Sequence, residues 1–397
     1  MWQKIKNYYH LAQAFLSAIV FNFPSKNILV IGVTGTDGKT TTVHMIYEVL
    51  KCSGQKVSMI SSVGAAIGAK AHDTGFHVTT PSAWQIQKYL RRAVDAGHKY
   101  FVMEATSHGL DQNRLAFVKF KVGVLTNITH DHLDYHGTWG NYANSKARLF
   151  KNVNLSILNL NDEKSFSFIK NKVKGTTVTY GLTKDADVNP QNFALKLKIP
   201  GSYNQLNALA AAAAASRLGI SKQKIAKALN HFLPVHGRME EVNIGQVFKV
   251  IVDFAHTPNA LSQAMGAIKP ERGRLIAVFG AAGKRDITKR AKMGEAADAS
   301  ADIIILTAED PRTENIETII SQIKKGIKNK TEGKTLFVVQ NREEAINFAV
   351  DLAKAGDAVG LFGKGHEKSM AYGKRETPWD EFEAAKGAIK RRLHAKG

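Results

Sequence analysis

Short apolar runs alternate with longer segments of helical periodicity from Asn27 onward. The runs NILVIGV, YFVMEA and KVGVLTNI are typical of buried parallel strands, whereas HGTWGNYANSKARLF and QLNALAAAAAASRLGI predict helices. Five further apolar runs follow later in the chain: KVIVDFA, RLIAVFG, ADIIILTA, TLFVVQ and DAVGLFG. Each is followed by a polar loop and a helix-like segment. The pattern therefore predicts an α/β protein with parallel sheets and crossover helices.

The pattern also predicts how the chain divides into domains. A proline and a glycine interrupt it in PVHGRME. We therefore expect a short leader helix at 1–26, a central phosphate-loop domain at 27–235 and a Rossmann-like, doubly wound domain at 236–397. With 397 residues, of which 44% are hydrophobic, the chain can bury two cores, since one core rarely grows past roughly 250–300 residues.

Net charge and cysteine content limit the possible binding partners and the cellular compartment of the protein. A formal charge of +21 attracts nucleotides, nucleic acid or anionic membranes. The basic residues are dispersed without a nucleic-acid-reading motif, so we do not expect a nucleic-acid partner. Cys52 is the only cysteine, which excludes a disulfide framework and fits a reducing cytosol.

The N-terminal segment carries basic residues and then an apolar stretch from Leu11 to Phe23. This stretch is too short to cross roughly 30 Å of hydrocarbon as a helix. We expect a helix that either packs on the first domain or contacts an anionic membrane surface peripherally. The expected location is accordingly the cytoplasm, or the inner face of the membrane.

The stretch GVTGTDGKTTT, from Gly32 to Thr42, has the form of a phosphate-binding loop between a strand and a helix. Val33 stands where the strict loop spacing has a glycine. Lys39 can reach the β- and γ-phosphates, and the Thr40 hydroxyl can bind Mg²⁺. The predicted nucleotide-binding residues of this loop are Gly35, Thr36, Asp37, Gly38, Lys39, Thr40 and Thr41.

Two further stretches carry candidate metal ligands. Glu104 closes a buried strand, where a carboxylate is costly unless a cation meets it, so a Mg²⁺ ligand is predicted. The stretch TNITHDHLDYHG concentrates histidine and aspartate between His130 and His136. Composition alone leaves this stretch open as either a metal site or a solvated loop.

These motifs resemble those of the Mur ligases, which build the peptide of the bacterial cell wall. GTDGKTT resembles their G-T-[ND]-G-K-[ST] loop, and TNITHDHLDYHG resembles T-N-x-x-x-D-H-L-D-x-H-G. VMEATSHGLDQNR resembles M-E-x-S-S-H-x-L-x-Q-x-R of the members that add the third residue to a muramoyl peptide. The resemblance implies an ATP- and Mg²⁺-dependent ligase that joins an acid to an amino acid through an acyl phosphate, releasing ADP and phosphate.

The resemblance also implies roles for individual residues. Lys39, Glu104, His132 and Lys146 match catalytic positions, and Thr40, Glu104 and His132 match metal ligands. Lys146, in YANSKARLF, matches a lysine that CO₂ converts to N6-carboxylysine in most members. Further nucleotide-site residues, taken from TNI, GSYNQLNALAA, HGRMEEV and VDFAHTPNAL, are Asn127, Asn204, Asn207, Arg238, Asp253 and His256.

The implied substrates are a muramoyl peptide and a diamino acid. Matching positions for substrate binding are Thr79, Thr80, Ser107, Gln112, Arg114, Arg285, Asp310, Arg312, Gly363 and Glu367. Members that add meso-diaminopimelate often read D-N-P-R where this chain reads Glu309-Asp310-Pro311-Arg312. A guanidinium grips a carboxylate with two parallel hydrogen bonds, which suits the distal carboxylate of diaminopimelate. Lysine or another diamine remains the alternative, because positions 309 and 310 depart from the pattern.

Other departures leave alternatives open. His236, Ala282 and Lys284 replace a proline, a glycine and a frequent aspartate of the family. Only 26 residues precede the first predicted strand, where ordinary members have a uridine-binding domain, so the acceptor is expected to be either UDP-linked or lipid-linked. The rival interpretations are a folylpolyglutamate-synthase-like ligase and a non-catalytic nucleotide-binding regulator.

Overall fold

The computed structural model describes residues 2–68, 70–72 and 80–395. The strands in these residues are β1 (Leu29–Thr34), β2 (Val57–Ile60), β3 (Ala65–Ile67), β4 (Lys70–His72), β5 (Tyr100–Glu104), β6 (Phe120–Leu125), β7 (Leu155–Asn159), β8 (Thr176–Tyr180), β9 (Glu240–Glu241), β10 (Lys249–Asp253), β11 (Leu275–Phe279), β12 (Ile303–Leu306), β13 (Leu336–Val338), β14 (Ala358–Phe362), β15 (Ser369–Tyr372) and β16 (Arg375–Pro378). The α-helices are α1 (Trp2–Val20), α2 (Lys39–Cys52), α3 (Ala83–Asp95), α4 (Ser107–Asp111), α5 (Leu133–His136), α6 (Trp139–Ala147), α7 (Glu163–Lys170), α8 (Ser202–Arg217), α9 (Lys222–Asn230), α10 (Pro258–Ile268), α11 (Arg290–Ser300), α12 (Ile316–Lys324), α13 (Arg342–Leu352) and α14 (Glu381–His394). Short 3₁₀ turns cover Pro24–Lys26, Arg148–Phe150 and Ile287–Lys289.

The chain forms two compact units. Unit 1 comprises Met1–Thr129, His136–Lys198 and Ser202–Leu233. Unit 2 comprises Pro234–Gly397 together with two short segments, His130–Tyr135 and Ile199–Gly201. Each unit has its own apolar core, one built around β1, β5 and β6 and the other around β10, β11 and β14.

Unit 1 is built on an eight-stranded sheet in the order β4-β3-β2-β5-β1-β6-β7-β8. All neighbouring pairs from β2 to β8 are parallel, and only β3 and β4 pair antiparallel at one edge. In the centre, Val33 of β1 lies opposite Glu104, and Thr34 lies opposite Leu125. The motifs that follow β1, β5 and β6 therefore meet at one edge of the sheet.

Two helix contacts position the loop after β1. Helix α2 begins directly after the loop, and the alanine-rich helix α8 packs against α2. Ala208 to Ala215 of α8 are all at most 2% exposed, because their small side chains allow close helix packing.

Unit 2 is built on a six-stranded sheet in the order β13-β12-β11-β14-β10-β9, in which only β9 is antiparallel. Strands β15 and β16 form a separate antiparallel hairpin. The predicted motifs follow the carboxyl ends of β10, β11, β12 and β14, which are adjacent strands of this sheet. The α/β fold class with two mainly parallel sheets is thus confirmed.

Candidate active site

Two glycines shape the loop between β1 and α2. Gly35 has φ +152°, and a Cβ there would lie 1.8 Å from Thr126 Oγ1. Gly38 has φ +80°, and a Cβ there would lie 2.3 Å from Asn207 Oδ1. Both positions combine a left-handed backbone with close neighbours, so they require glycine.

Thr126 and Asn127, which follow β6, form hydrogen bonds with this loop. Thr36 donates its N–H to Asn127 O at 2.8 Å. The Asn127 amide group accepts from Asp37 N at 3.0 Å and donates to Asp37 O at 3.2 Å. Thr126 Oγ1 also donates to Asp37 O at 2.7 Å. Asn127 therefore fixes the peptide of Asp37 in the predicted phosphate loop.

Glu104 is the best candidate for a cation ligand in unit 1. Its Oε1 accepts hydrogen bonds from Thr40 Oγ1 and Ser62 N, each at 2.8 Å. Its Oε2 is buried with no hydrogen-bond partner, although the residue is only 1% exposed. A buried carboxylate oxygen without a donor is unfavourable unless a cation binds it.

This oxygen donor set fits Mg²⁺. Mg²⁺ prefers oxygen ligands and commonly uses one or two carboxylates together with phosphate oxygens and water. Among the residues that the structure describes, no group of three or more His, Cys, Asp or Glu side chains surrounds a single point. Thr40 and Glu104 would thus hold the ion together with the nucleotide, rather than as an all-protein cage.

Two lysines reach carbonyl oxygens of the same loop. Lys39 Nζ donates to Thr36 O at 2.7 Å. Lys146, in the last turn of α6, is 1% exposed and donates to Gly35 O at 2.5 Å. Its Nζ also lies 4.3 Å from the centroid of the Tyr142 ring. Both predicted catalytic lysines therefore contact the backbone of the loop that would hold the triphosphate.

The asparagines of α8 form a hydrogen-bonded pair beside the loop. Asn207 Nδ2 donates to Asn204 Oδ1 at 3.3 Å, and Thr42 Oγ1 donates to Asn207 Oδ1 at 3.3 Å. Both asparagines are buried. Their placement next to Gly38 explains why two asparagines interrupt a helix otherwise rich in alanine.

Several predicted acceptor-binding residues surround the short helix α4. Ser107 begins this helix and Gln112 ends it. Thr80 Oγ1 and Thr106 Oγ1 lie 2.7 Å apart, and the Arg114 guanidinium donates to Thr80 O. Thr79, also predicted to bind substrate, lies outside the described residues.

In unit 2, the segment His130–Tyr135 is organised around Asp131. Lys289 Nζ donates to this carboxylate at 3.2 Å, His132 Nε2 lies 3.3 Å from it, and His256 Nε2 lies 4.0 Å from it. Burial alone would raise the pKa of Asp131, but Lys289 and the two histidines hold it well below its usual range. Two predicted residues, His132 and His256, are thus brought to one carboxylate. Neither Asp131 nor Lys289 has a predicted role, although Asp131 lies inside the motif TNITHDHLDYHG.

The third motif histidine, His136, belongs to unit 1. Burial lowers its pKa to about 4, so it is neutral at physiological pH. Its ring packs against the rings of His108 and Tyr142, with centroids 5.6 and 5.2 Å away. This histidine has a packing role in the described contacts.

Asp253 and Arg238 form a second predicted group in unit 2. The Asp253 carboxylate accepts from Met239 N and Ala255 N, each at 2.8 Å. The Arg238 guanidinium lies 4.4 Å from the centroid of the Phe254 ring. Asp253 thereby holds the loop that carries Arg238 against the end of β10.

The Glu309–Arg312 loop after β12 has an unusual backbone. Asp310 and Arg312 have φ of +45° and +53°. Gly283 N donates to Asp310 O at 2.9 Å, Arg312 Nη1 donates to Gly283 O at 2.8 Å, and Arg312 N donates to Ala371 O at 2.9 Å. Such a conformation persists only where neighbours impose it, and it is common at ligand sites.

Lys364 joins two of the predicted substrate-binding acids. This lysine is fully buried, and its Nζ lies 2.9 Å from Asp310 Oδ1 and 2.7 Å from Glu367 Oε2. Lys364 has no predicted role, although it lies between Gly363 and Glu367 in GKGHEK. Arg285, by contrast, is exposed on the loop after β11.

Glu309 is the second carboxylate with an unmet oxygen. It is 6% exposed, and its Oε2 is buried without a hydrogen-bond partner. Burial raises the pKa of Glu309 to about 8, although Arg342, Lys289 and Lys364 counteract part of this effect. At neutral pH this group is mainly protonated, which reduces the negative charge beside Asp310.

Comparisons with known proteins agree with this arrangement. The chain matches the Mur ligase middle domain over residues 33–215 and the Mur ligase, glutamate ligase domain over residues 237–365. It is 41% identical to UDP-N-acetylmuramyl-tripeptide synthetase of Borreliella burgdorferi, across 94% of this chain and 78% of that protein. It is 38% identical to UDP-N-acetylmuramoyl-L-alanyl-D-glutamate--2,6-diaminopimelate ligase 1 of Clostridium acetobutylicum, across 96% and 82%.

A solved structure supports the same assignment. The chain superposes on a UDP-N-acetylmuramoyl-L-alanyl-D-glutamate--2,6-diaminopimelate ligase with a TM-score of 0.61 and 33% identity, covering 92% of this chain and 79% of that one. With a loop of phosphate-binding form, a buried carboxylate oxygen without a hydrogen-bond donor and relatives that match over nearly its whole length, the chain belongs to the Mur ligase family and is an ATP- and Mg²⁺-dependent acid–amino-acid ligase.

Proposed function

We propose that this ligase adds meso-diaminopimelate to a muramoyl dipeptide of the cell-wall precursor. The observation that carries the choice of amino acid is the placement of Arg312. Its guanidinium is fixed by one hydrogen bond to Gly283 O and offers further N–H donors for a carboxylate. Relatives named as diaminopimelate ligases support the proposal.

The proposed reaction has two steps. A carboxylate oxygen of the dipeptide attacks the γ-phosphorus of ATP, and the bond to ADP breaks to give an acyl phosphate. The amine of diaminopimelate then attacks the acyl carbon and loses a proton, and phosphate leaves. Thr40 and Glu104, and His132 by its match to the family position, would hold Mg²⁺, whose charge would offset the repulsion between the carboxylate and the triphosphate. Lys39 stabilises the phosphoryl group in transfer.

In this proposal, each unit contributes its own residues. Unit 1 provides the phosphate loop, with Asn204 and Asn207 beside it, and Thr80, Ser107, Gln112 and Arg114 for the acceptor. Unit 2 provides Arg238, Asp253 and His256 for the nucleotide and Arg285, Asp310, Arg312, Gly363 and Glu367 for the amino acid. The proposed domain limits remain 1–26, 27–235 and 236–397.

Lysine is the alternative amino acid, and the aspartate at position 310 favours it. An aspartate replaces the usual asparagine and adds a carboxylate where an amine could bind. Because Lys364 already pairs with Asp310 at 2.9 Å, diaminopimelate remains the preferred substrate.

A substrate panel tests the proposal. UDP-linked and lipid-linked muramoyl dipeptides are each combined with diaminopimelate, lysine and ornithine, and ADP formation is measured. We expect the highest kcat/KM with diaminopimelate, and the better acceptor identifies the carrier. Equal or faster turnover with lysine would contradict the assignment of Arg312.

We also propose that Lys146 is carbamylated. Addition of CO₂ to its Nζ, with loss of two protons from the ammonium, forms a carbamate whose carboxylate can orient Mg²⁺. The support is its match to the family position and its contact with Gly35 O. In ¹³C-bicarbonate, the protein should show a carbamate ¹³C signal that Lys146→Ala removes. Persistence of that signal in the variant would assign it to another amine.

A further inference from the structure

Helix α1 exposes a run of large apolar side chains between Tyr8 and Val20. Six of its side chains, Tyr8, Tyr9, Phe15, Leu16, Ile19 and Val20, are between 46% and 72% exposed. They account for six of the fourteen large hydrophobic side chains exposed in the described part of the chain. Such a concentration on one helix is unlike the scattered exposed residues of an ordinary surface.

The six residues form two parallel stripes. Tyr8, Phe15 and Ile19 make one, and Tyr9, Leu16 and Val20 make the other, about 100° around the helix from the first. Trp84 of α3 extends the surface, because its ring packs on Phe21 with centroids 5.2 Å apart and it is 42% exposed. We call these seven residues the α1 face.

The opposite side of α1 packs on unit 1. Ala14, Ser17 and Ala18 are at most 1% exposed. Asn7 Nδ2 donates to Asp111 O at 3.1 Å. The α1 face is therefore presented on a fixed helix and does not need to pack onto its own unit.

The charges around the α1 face select an anionic partner. No Asp or Glu precedes Asp37 in the sequence. Lys6, Lys26 and Lys119 are exposed, and Lys119 N donates to Ser25 Oγ, which places it beside Lys26 at the end of the helix. Asp111, the nearby acid, is paired with Arg148 at 3.2 Å. A second copy of the chain would carry the same charge of +21 and would be repelled.

We propose that the α1 face binds the surface of an anionic lipid bilayer, with α1 parallel to the membrane plane. No described helix has the length and apolarity to cross a bilayer. Aliphatic side chains flanked by tyrosine, tryptophan and lysine are the composition of helices that lie in the headgroup region. The bilayer accepts the apolar stripes while its headgroups neutralise the lysines.

Vesicle flotation of the full chain tests this proposal. The vesicles contain phosphatidylcholine with or without about 30% phosphatidylglycerol, at about 0.1 M salt. We expect flotation with the anionic vesicles and much weaker flotation with the neutral ones. The double variant Leu16→Glu/Ile19→Glu should lose at least about tenfold in partitioning, and Lys6→Glu/Lys26→Glu about fivefold for each lysine.

The matched control is Leu233→Glu, which changes an equally exposed leucine outside α1, 66% exposed. It should float like the wild type, and thermal unfolding should confirm that all variants are folded. If the wild type does not float with anionic vesicles, the proposal is wrong. It is also wrong if light scattering shows a dimer that Leu16→Glu/Ile19→Glu dissociates while flotation is unchanged, because the face would then bind a second copy.

Discussion

Two loops, the Gly35–Lys39 loop of unit 1 and the Glu309–Arg312 loop of unit 2, each follow the carboxyl end of a parallel strand, yet they are held differently. We propose that the first holds phosphate and the second holds the amino acid. The first is shaped by Gly35 and Gly38 and fixed by backbone contacts to Asn127. The second holds non-glycine residues at positive φ and buries a set of charges around Lys364. A motif predicts geometry well where the backbone demands one residue type, and poorly where buried charges must balance one another.

Removal of the phosphate-loop cation should give the largest effect. Lys39→Ala should reduce kcat for ADP formation by about 10³-fold or more, because the loop then lacks the ammonium that stabilises phosphoryl transfer. The control is Lys51→Ala, an exposed lysine on the same helix. A loss of less than about tenfold would show that Lys39 does not contact the transferred phosphate.

Substitution of Arg312, in the Glu309–Arg312 loop, should change KM and the selectivity between amino acids. Arg312→Lys keeps the charge but loses the two-pronged contact, so KM for diaminopimelate should rise about 100-fold. Turnover with lysine should change much less, because lysine has no distal carboxylate. Steady-state kinetics with each amino acid measure the two KM values. The control is Arg272→Lys, which changes an exposed arginine. Equal changes for both amino acids would place Arg312 outside the distal pocket.

A pair of glycine variants separates backbone strain from crowding. Gly38 and Gly54 have similar φ, +80° and +85°, but a Cβ at Gly54 meets nothing within 4 Å, whereas one at Gly38 meets Asn207. Both alanine variants should lose about 1–2 kcal/mol of stability from the left-handed backbone. Only Gly38→Ala should also weaken ATP binding, by about tenfold or more, as measured by calorimetry. Equal ATP affinities in the two variants would rule out the steric argument.

The smallest expected effect concerns Glu309 and pH. Its pKa is about 8 in the folded protein, against an ordinary value of 4.5. The unfolded chain therefore releases this proton at a lower pH than the folded protein does. The free energy of unfolding is therefore highest, with respect to this group, below about pH 4.5, and it falls as pH rises toward 8. Glu309→Gln should remove this loss.

The measurement is thermal unfolding at several pH values between about 5 and 9. Glu309→Gln should match the wild type in acid and exceed it by a few degrees in base. The exposed residue Glu317 supplies the control, Glu317→Gln, which should follow the wild-type curve. Parallel curves for Glu309→Gln and the wild type would show that Glu309 is not buried as a neutral acid.

Local signals predicted much of the fold. The apolar runs became β1, β5, β6, β10, β11, β12, β13 and β14. Strands β9 and β16 were not predicted, because EE and RETP are short, charged and largely exposed and so carry no apolar period. Their strand conformation comes from backbone pairing with neighbouring strands, β9 with β10 and β16 with β15.

The sequence by itself determined the strand-and-helix order, the glycines of the phosphate loop and the family motifs, because backbone conformation and apolar periodicity are local properties. Only the tertiary structure decided that Lys364 joins Asp310 to Glu367, that Lys289 joins Asp131, and that Glu104 and Glu309 each keep an unmet oxygen. The physical reason is that a buried charge depends on whichever groups the folded chain brings within a few ångströms, and sequence spacing does not specify those neighbours.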